Sequence, residues 1–190
     1  MAPMKLALVV TAFVVCVGTA AAAGPRVAHT SEGTKLAQAS LLRVGDFGSG
    51  WTSDPAGGSA SGISFGCRGF TPKQGDIVEI GTATSPKFNG SEIGPFVIQK
   101  TSVYATPKAA NTLWNRGVKP KLRDCVAQSL DSLKSRGIGV SITSQTTIAI
   151  GRVGDHSAAY RVVATLTGKQ RLKTYLDVIL VAGGLSLIHI

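Results

Sequence analysis

The chain has 190 residues, of which 44% are hydrophobic and only 16% are charged. This balance excludes a chain kept disordered by its charge, because such chains combine a high net charge with few apolar residues. Lysine and arginine number 20 against 10 aspartate and glutamate residues, so the net charge of +10 at pH 7 favours acidic partners. The length fits a single domain.

The first 23 residues predict a signal peptide that directs export. Lys5 is followed by an apolar run as far as Val17, and small residues close the segment up to Ala23. A charged, an apolar and a small-residue region in this order are typical of a cleavable secretory signal. We expect cleavage after Ala23, and hence a secreted or envelope-associated protein. The alternative is an uncleaved membrane anchor, because the apolar and small residues from Leu6 to Ala23 together number 18, at the short edge of the length that spans a bilayer.

Two cysteines, Cys67 and Cys125, remain once the signal is removed. Exported proteins fold in an oxidising compartment, where paired cysteines usually form disulfides, and two cysteines allow one intramolecular pairing. We therefore predict a disulfide between Cys67 and Cys125. The exported part has no CxxC or HxxxH spacing, so the sequence predicts no metal site and no cofactor.

The first elements in chain order are a leader, a helix and two strands. Residues 24–34 are rich in small polar residues without periodicity and predict a flexible leader. Residues 34–42 predict a short helix capped by Thr34. Residues 77–84 and 96–104 predict two strands with turn residues between them.

Two helices are expected next. Thr106 as N-cap and Pro107 in the first turn predict the start of one helix, and Gly117 predicts its end. Pro120 predicts the start of the second helix, whose regularly spaced apolar residues form one inward face that includes Cys125.

Three further strands follow at residues 140–150, 160–166 and 172–181, and their short connections favour antiparallel pairing in sequence order. Helices grouped between strands, rather than alternating with them, indicate an α+β fold. We therefore predict a single domain over residues 35–184, with an antiparallel sheet and helices packed on one face.

The last six residues, 185–190, match the translation of a common transposase-type sequencing adapter. We interpret them as an artefact, so that the native protein continues beyond Gly184. The alternative is a genuine apolar strand at the end of the chain.

Eight short stretches between Lys35 and Val181 resemble, in their order and spacing, a known group of exported proteins. The stretches are Leu41–Leu42, Gly45–Phe47, Gly50–Thr52, Cys67–Phe70, Ser85–Phe88, Val103–Ala110, Arg123–Cys125 and Gly154–Val162. The group is the PknH-like extracellular sensor domain family of actinobacterial exported proteins. The resemblance implies a compact α+β domain with a cleft, either in front of a sensor kinase or as a stand-alone exported protein.

This chain carries no kinase domain and therefore resembles the stand-alone members. It has one cysteine pair where the kinase-linked members have two. The resemblance also implies a final strand and helix after Gly184, so we expect the domain to be truncated at its C-terminus.

Few residues in the sequence suggest a catalytic or ligand-binding role. Asp155, His156 and Ser157 are adjacent on a predicted strand, where side chains alternate between faces, so they cannot converge as a catalytic triad. Trp51 and Trp114 are candidates to line a ligand cleft, although tryptophans more often anchor the core or its rim.

A basic stretch lies where the two helices are expected to meet. Its members are Arg116, Lys119, Lys121 and Arg123, with only Asp124 beside them. Removal of the signal leaves 19 basic against 10 acidic residues, a net charge of +9. We expect these four residues to contact an anionic envelope surface; the alternative is an ordinary solvated face.

A second basic group comprises Lys169, Arg171 and Lys173. Nucleic acid is not an expected partner, because the protein is predicted to be exported and no aromatic residues interleave with the basic ones.

The sequence thus predicts a monomeric, non-catalytic exported domain that binds a small or envelope-derived ligand in a sensor-like role. The alternative is a small cell-envelope hydrolase whose catalytic residues lie in the missing C-terminus.

Overall fold

The fold is described from a computed structural model that covers residues 24–54, 65–130, 134, 137–168 and 170–190. The predicted signal peptide lies outside these residues. The strands are β1 (Arg26–Val27), β2 (Thr52–Asp54), β3 (Val78–Thr84), β4 (Lys87–Asn89), β5 (Phe96–Val97), β6 (Lys100–Tyr104), β7 (Gly139–Ile148), β8 (His156–Thr167), β9 (Arg171–Gly183) and β10 (Ser186–His189). The helices are α1 (Ser31–Ala39), α2 (Pro107–Leu113) and α3 (Lys119–Ser129).

Seven strands form one sheet in the order β1-β3-β6-β10-β9-β8-β7, and β2, β4 and β5 form a small second sheet. All neighbours in the large sheet are antiparallel except β1 and β3. The predicted α+β class is therefore confirmed. The pairing of β7, β8 and β9 in sequence order is confirmed as well.

The predicted strand at 96–104 divides into two pieces. Lys100–Tyr104 pairs with β3 in the large sheet, whereas Phe96–Val97 pairs with β4 in the small sheet. The backbone turns between them at Gln99, whose buried side chain donates to Ser40 O at 2.8 Å and accepts from Leu42 N at 2.7 Å. Gln99 thus links the point where the chain passes from one sheet to the other with the segment that follows α1.

The N-terminal segment differs from the predicted flexible leader. Arg26 pairs with Val78 in a parallel bridge, so the segment extends the sheet. The helix starts at Ser31 rather than Thr34, and its cap is Thr30, whose Oγ1 accepts from Gly33 N at 2.9 Å. The domain therefore begins before residue 35.

The helices cover both faces of the large sheet, not one. The core cluster contains Tyr104 and Leu187 together with the apolar side chains of α2 and α3. Val103, the neighbour of Tyr104, points to the other face, where its cross-strand partner Gly81 contacts Gly33 of α1. Hence α1 packs on the face opposite α2 and α3.

The predicted break between the two central helices is wrong. Thr106 caps α2 as expected, accepting from Ala109 N at 3.1 Å. A π-helical turn at Trp114–Val118 then connects α2 to α3 without interruption. Gly117 does not end a helix; it leaves room for Phe65, since a Cβ there would lie 3.2 Å from the Phe65 Cβ.

Cys67 and Cys125 form the predicted disulfide, with their Cα atoms 5.1 Å apart. Cys67 lies in a tight turn closed by mutual backbone hydrogen bonds with Phe70. Arg68 N donates to Gln128 Oε1 at 3.1 Å, which adds a second link between this turn and α3.

The last residues of the chain form β10, between β6 and β9. Leu187 is buried in the main core, and Ile190 exchanges backbone hydrogen bonds with Ile179. The interpretation of residues 185–190 as adapter-derived stays a prediction, which the nucleotide sequence of the gene decides.

Candidate functional site

The first candidate site is a cavity of about 290 Å³ beside the start of α3. Lys119, Lys121 and Arg123 line it from the helix, and Thr147 and Tyr160 line it from β7 and β8. We call the three cations the α3 basic cluster. All three are exposed, and Lys119 and Arg123 lie one helical turn apart on the same side of α3.

The electrostatics of this cavity are positive. Asp124 is the only acid among its lining residues, and its Oδ1 pairs with Arg123 Nε at 3.2 Å. Within the described part of the chain, Lys119 and Lys121 have no ion-pair partner. Burial raises the pKa of Tyr160, and the nearby charge of Arg123 opposes that rise, so the phenol stays neutral and can donate a hydrogen bond.

Arg116 does not belong to this cluster, although the sequence groups it there. Its guanidinium pairs with Asp76 at 2.7 and 3.0 Å and donates to Lys73 O at 3.3 Å. The hydrogen bond from Arg116 lowers the pKa of Asp76. Arg116 therefore fastens the π-helical turn to the segment before β3, and the predicted group of four is corrected to three.

The two tryptophans lie in separate places. Trp114 is 6% exposed in the main core and stacks on His156 with ring centroids 5.2 Å apart. Trp51 stacks on Phe47 at 4.5 Å, and Phe47 contacts Phe88 of the small sheet at 4.9 Å. Neither tryptophan lines any of the three cavities described in this section.

A second cavity, of about 250 Å³, is lined by residues that the sequence did not predict to form a site. Lys100, Ser102 and Tyr104 of β6 line it, together with Glu79 of β3 and His189 of β10. Burial and the charge of Glu79 raise the pKa of Tyr104, whereas burial and the charge of Lys100 lower the pKa of His189 to about 4. Lys100, Ser102 and Tyr104 are spaced two residues apart, so a strand places all three on one face, and this spacing is the signal in the sequence.

A third cavity, of about 510 Å³, lies against the small sheet. Lys87 lines it, paired with Asp54 at 2.9 Å, and its Nζ lies 5.1 Å from the centroid of the Phe96 ring. Both charges of the pair are exposed, so the pair itself adds little to stability.

The side chains of Asp155, His156 and Ser157 turn to three different partners. The carboxylate of Asp155 accepts from Gly184 N at 3.0 Å, and His156 bonds the side-chain oxygen of Asn111. Ser157 Oγ donates to Gly151 O at 3.3 Å. Each of the three side chains is therefore hydrogen-bonded to a different segment of the chain.

Comparison with protein-family models, curated proteins and solved structures finds no match to this chain. Among the described residues, no group of three or more His, Cys, Asp or Glu side chains is arranged to hold a metal ion. Over the same residues, no helix is both long enough and apolar enough to cross a membrane.

Proposed function

We propose that this chain is a non-catalytic binding domain, exported to the cell envelope, whose α3 basic cluster contacts anionic lipid headgroups. The observation that carries the proposal is the set of three exposed cations around one cavity, two of which have no ion-pair partner within the described residues. The resemblance to extracellular sensor domains supports a sensor-like role for such contact.

The expected contact is weak and sensitive to salt. Each basic residue close to an anionic membrane surface contributes about 1 kcal/mol, so three of them hold the protein only transiently. Interactions between exposed charges are screened beyond about 8 Å at physiological ionic strength, so binding should fall as salt is added. Tyr160 and Thr147 also line the cavity and add neutral hydrogen-bond donors, which suit phosphate oxygens.

The test is co-sedimentation of the full exported chain with phosphatidylglycerol or phosphatidylcholine vesicles at low and high salt. We expect binding to phosphatidylglycerol at low salt and its loss at high salt. The variant K119A/K121A/R123A should lose most of this binding. The matched control R26A/K35A/K108A removes three exposed cations elsewhere and should keep it.

Two results would contradict the proposal. The first is equal binding to both kinds of vesicle, and the second is a triple variant that binds no less than its matched control. Either result would make the α3 basic cluster an ordinary solvated surface.

Export is tested separately. The mature protein should begin at Gly24, as measured by the intact mass of protein recovered from an actinobacterial host. A mass that includes Met1 would show an uncleaved anchor instead.

A further inference from the structure

The face of β8 and β9 that points away from α2 and α3 carries an exposed aromatic ring among cations. Tyr160 and Val178 form one cross-strand pair and contribute to the core beneath the helices. Because side chains alternate along a strand, the next pair, Arg161 and Asp177, lies on the opposite face. Tyr175, two residues before Asp177, shares that face.

The ring of Tyr175 is 57% exposed and lies close to two cations. Lys173 Nζ lies 5.3 Å and Arg161 Cζ lies 5.8 Å from its centroid. Arg161 is held by two hydrogen bonds to Asp177, at 2.7 and 2.6 Å, which fix its guanidinium beside the ring. The aromatic side chain is thus part of an ordered surface group.

Further cations and hydroxyls extend this group in two directions. Arg171 lies on the same face of β9, two residues before Lys173, a step of about 7 Å along the strand. Ser144 and Thr146 of β7 are exposed and lie on this face by their register with Val163 and Arg161. Lys169 of the predicted second basic group lies outside the described residues.

We propose that this face binds a linear acidic polysaccharide, aligned with β9, with one sugar ring stacked on Tyr175. The C–H face of a pyranose packs on an aromatic ring, and the acidic groups of neighbouring sugars meet Lys173 and Arg171. The hydroxyls of Ser144 and Thr146 suit the hydroxyl-rich edge of the polymer.

The surroundings of the ring favour this partner over other polyanions. The charged groups next to the Tyr175 ring are the cations Lys173 and Arg161, and its apolar cross-strand partner Val163 is only 9% exposed, so the face is suited to a hydrated polymer and not to entry into a bilayer. A platform for single-stranded nucleic acid stacks successive bases on several aromatic residues. Among the described residues of β7, β8 and β9, Tyr175 is the only aromatic side chain on this face.

This surface is independent of the proposed lipid contact. The α3 basic cluster lies on the side of the sheet that α2 and α3 cover, whereas Tyr175 and its cations lie on the other side. Variants of either surface therefore leave the other intact, and either proposal can fail alone.

The experiment is calorimetric titration of the full exported chain with a short oligogalacturonate and with its methyl-esterified form. We expect the acidic oligomer to bind, and both the esterified form and high salt to weaken binding about tenfold. Y175S should weaken binding about tenfold, whereas Y175F, which keeps the ring, should bind like the wild type. R171A/K173A should bind weakly, and K119A/K121A/R123A should bind normally.

Three results would overturn the proposal. Wild-type affinity in both Y175S and R171A/K173A would show that this face is not used. Equal affinity for the acidic and esterified oligomers would remove the role of the cations. Displacement of the oligogalacturonate by an equal amount of oligothymidylate would assign the surface to nucleic acid. R171A/K173A changes only exposed side chains, so a folding defect in Y175S leaves the test intact.

Discussion

Gly33 on α1 and Gly81 on β3 meet with no side chain between them. A Cβ on Gly81 would lie 2.1 Å from the carbonyl carbon of Gly33, and a Cβ on Gly33 would lie 2.3 Å from the carbonyl oxygen of Ile80. Atoms cannot approach so closely, so the two glycines together set the distance between α1 and the sheet. Both residues are buried.

We therefore expect Gly81→Ala to destabilise the fold by about 1–3 kcal/mol or more, because the helix must move away from the strand to admit a methyl group. Urea unfolding of the purified chain measures this change. Gly45→Ala is the matched control, since no atom lies within 4 Å of its added Cβ. Equal stability of the two variants would contradict the close packing of α1.

The same contact explains why the N-terminal segment was mispredicted. Residues 24–34 contain small residues that are typical of linkers, and in the sequence Gly33 looks like one of them. Its role depends on Gly81, which is distant in sequence, and no local pattern reveals such a contact. The pairing of Arg26 with Val78 also joins residues that are distant in sequence, so the periodicity of apolar residues does not reveal it.

The start of α2 is predictable from local chemistry, although the same kind of signal fails at α1, where Thr30 and not Thr34 is the cap. Thr106 and Pro107 start α2 as expected, since a cap needs only the next few residues. Gly117 was misread because a glycine that ends a helix and a glycine that admits Phe65 look the same in sequence. Arg116 was misassigned for a related reason, since its partner Asp76 lies 40 residues away.

The cap of α2 gives a second prediction. Thr106 Oγ1 accepts from Ala109 N, so Thr106→Ala should lower the free energy of unfolding by about 1 kcal/mol. Thr106→Ser keeps the hydroxyl and should retain most of the stability. Thermal unfolding of both variants checks this, and an alanine variant as stable as the serine variant would contradict the role of the cap.

The disulfide gives a third prediction. Cys67 and Cys125 are 58 residues apart, and a loop of that length corresponds to roughly 4 kcal/mol of stabilisation in the chain-entropy account. Thiol labelling of the unfolded, non-reduced mature chain should find no free cysteine. A reducing agent should lower the unfolding midpoint of the wild type and leave that of C67S/C125S unchanged. Two labelled cysteines in the non-reduced chain would refute the bridge.

The last prediction concerns acid stability and His189, which shares the second cavity with Lys100, Glu79 and Tyr104. Burial and the charge of Lys100 lower its pKa from 6.5 to about 4. In the unfolded chain His189 takes up a proton near pH 6.5, whereas in the folded chain it resists protonation until about pH 4. The stability that the neutral imidazole provides is therefore complete above pH 6.5 and is lost as the pH falls towards 4, by up to about 3 kcal/mol.

His189→Gln removes this titration and should flatten the fall in stability between pH 6.5 and 4, measured by urea unfolding at a series of pH values. Above pH 7 the variant and the wild type should depend on pH in the same way, because the imidazole is neutral in both the folded and the unfolded chain. Below pH 4 the variant and the wild type should again depend on pH in the same way, since both keep Asp54 and Asp76, whose pKa values are lowered by Lys87 and Arg116. If the variant and the wild type lose stability in parallel between pH 6.5 and 4, His189 is not buried beside Lys100, and the last strand does not occupy the position between β6 and β9.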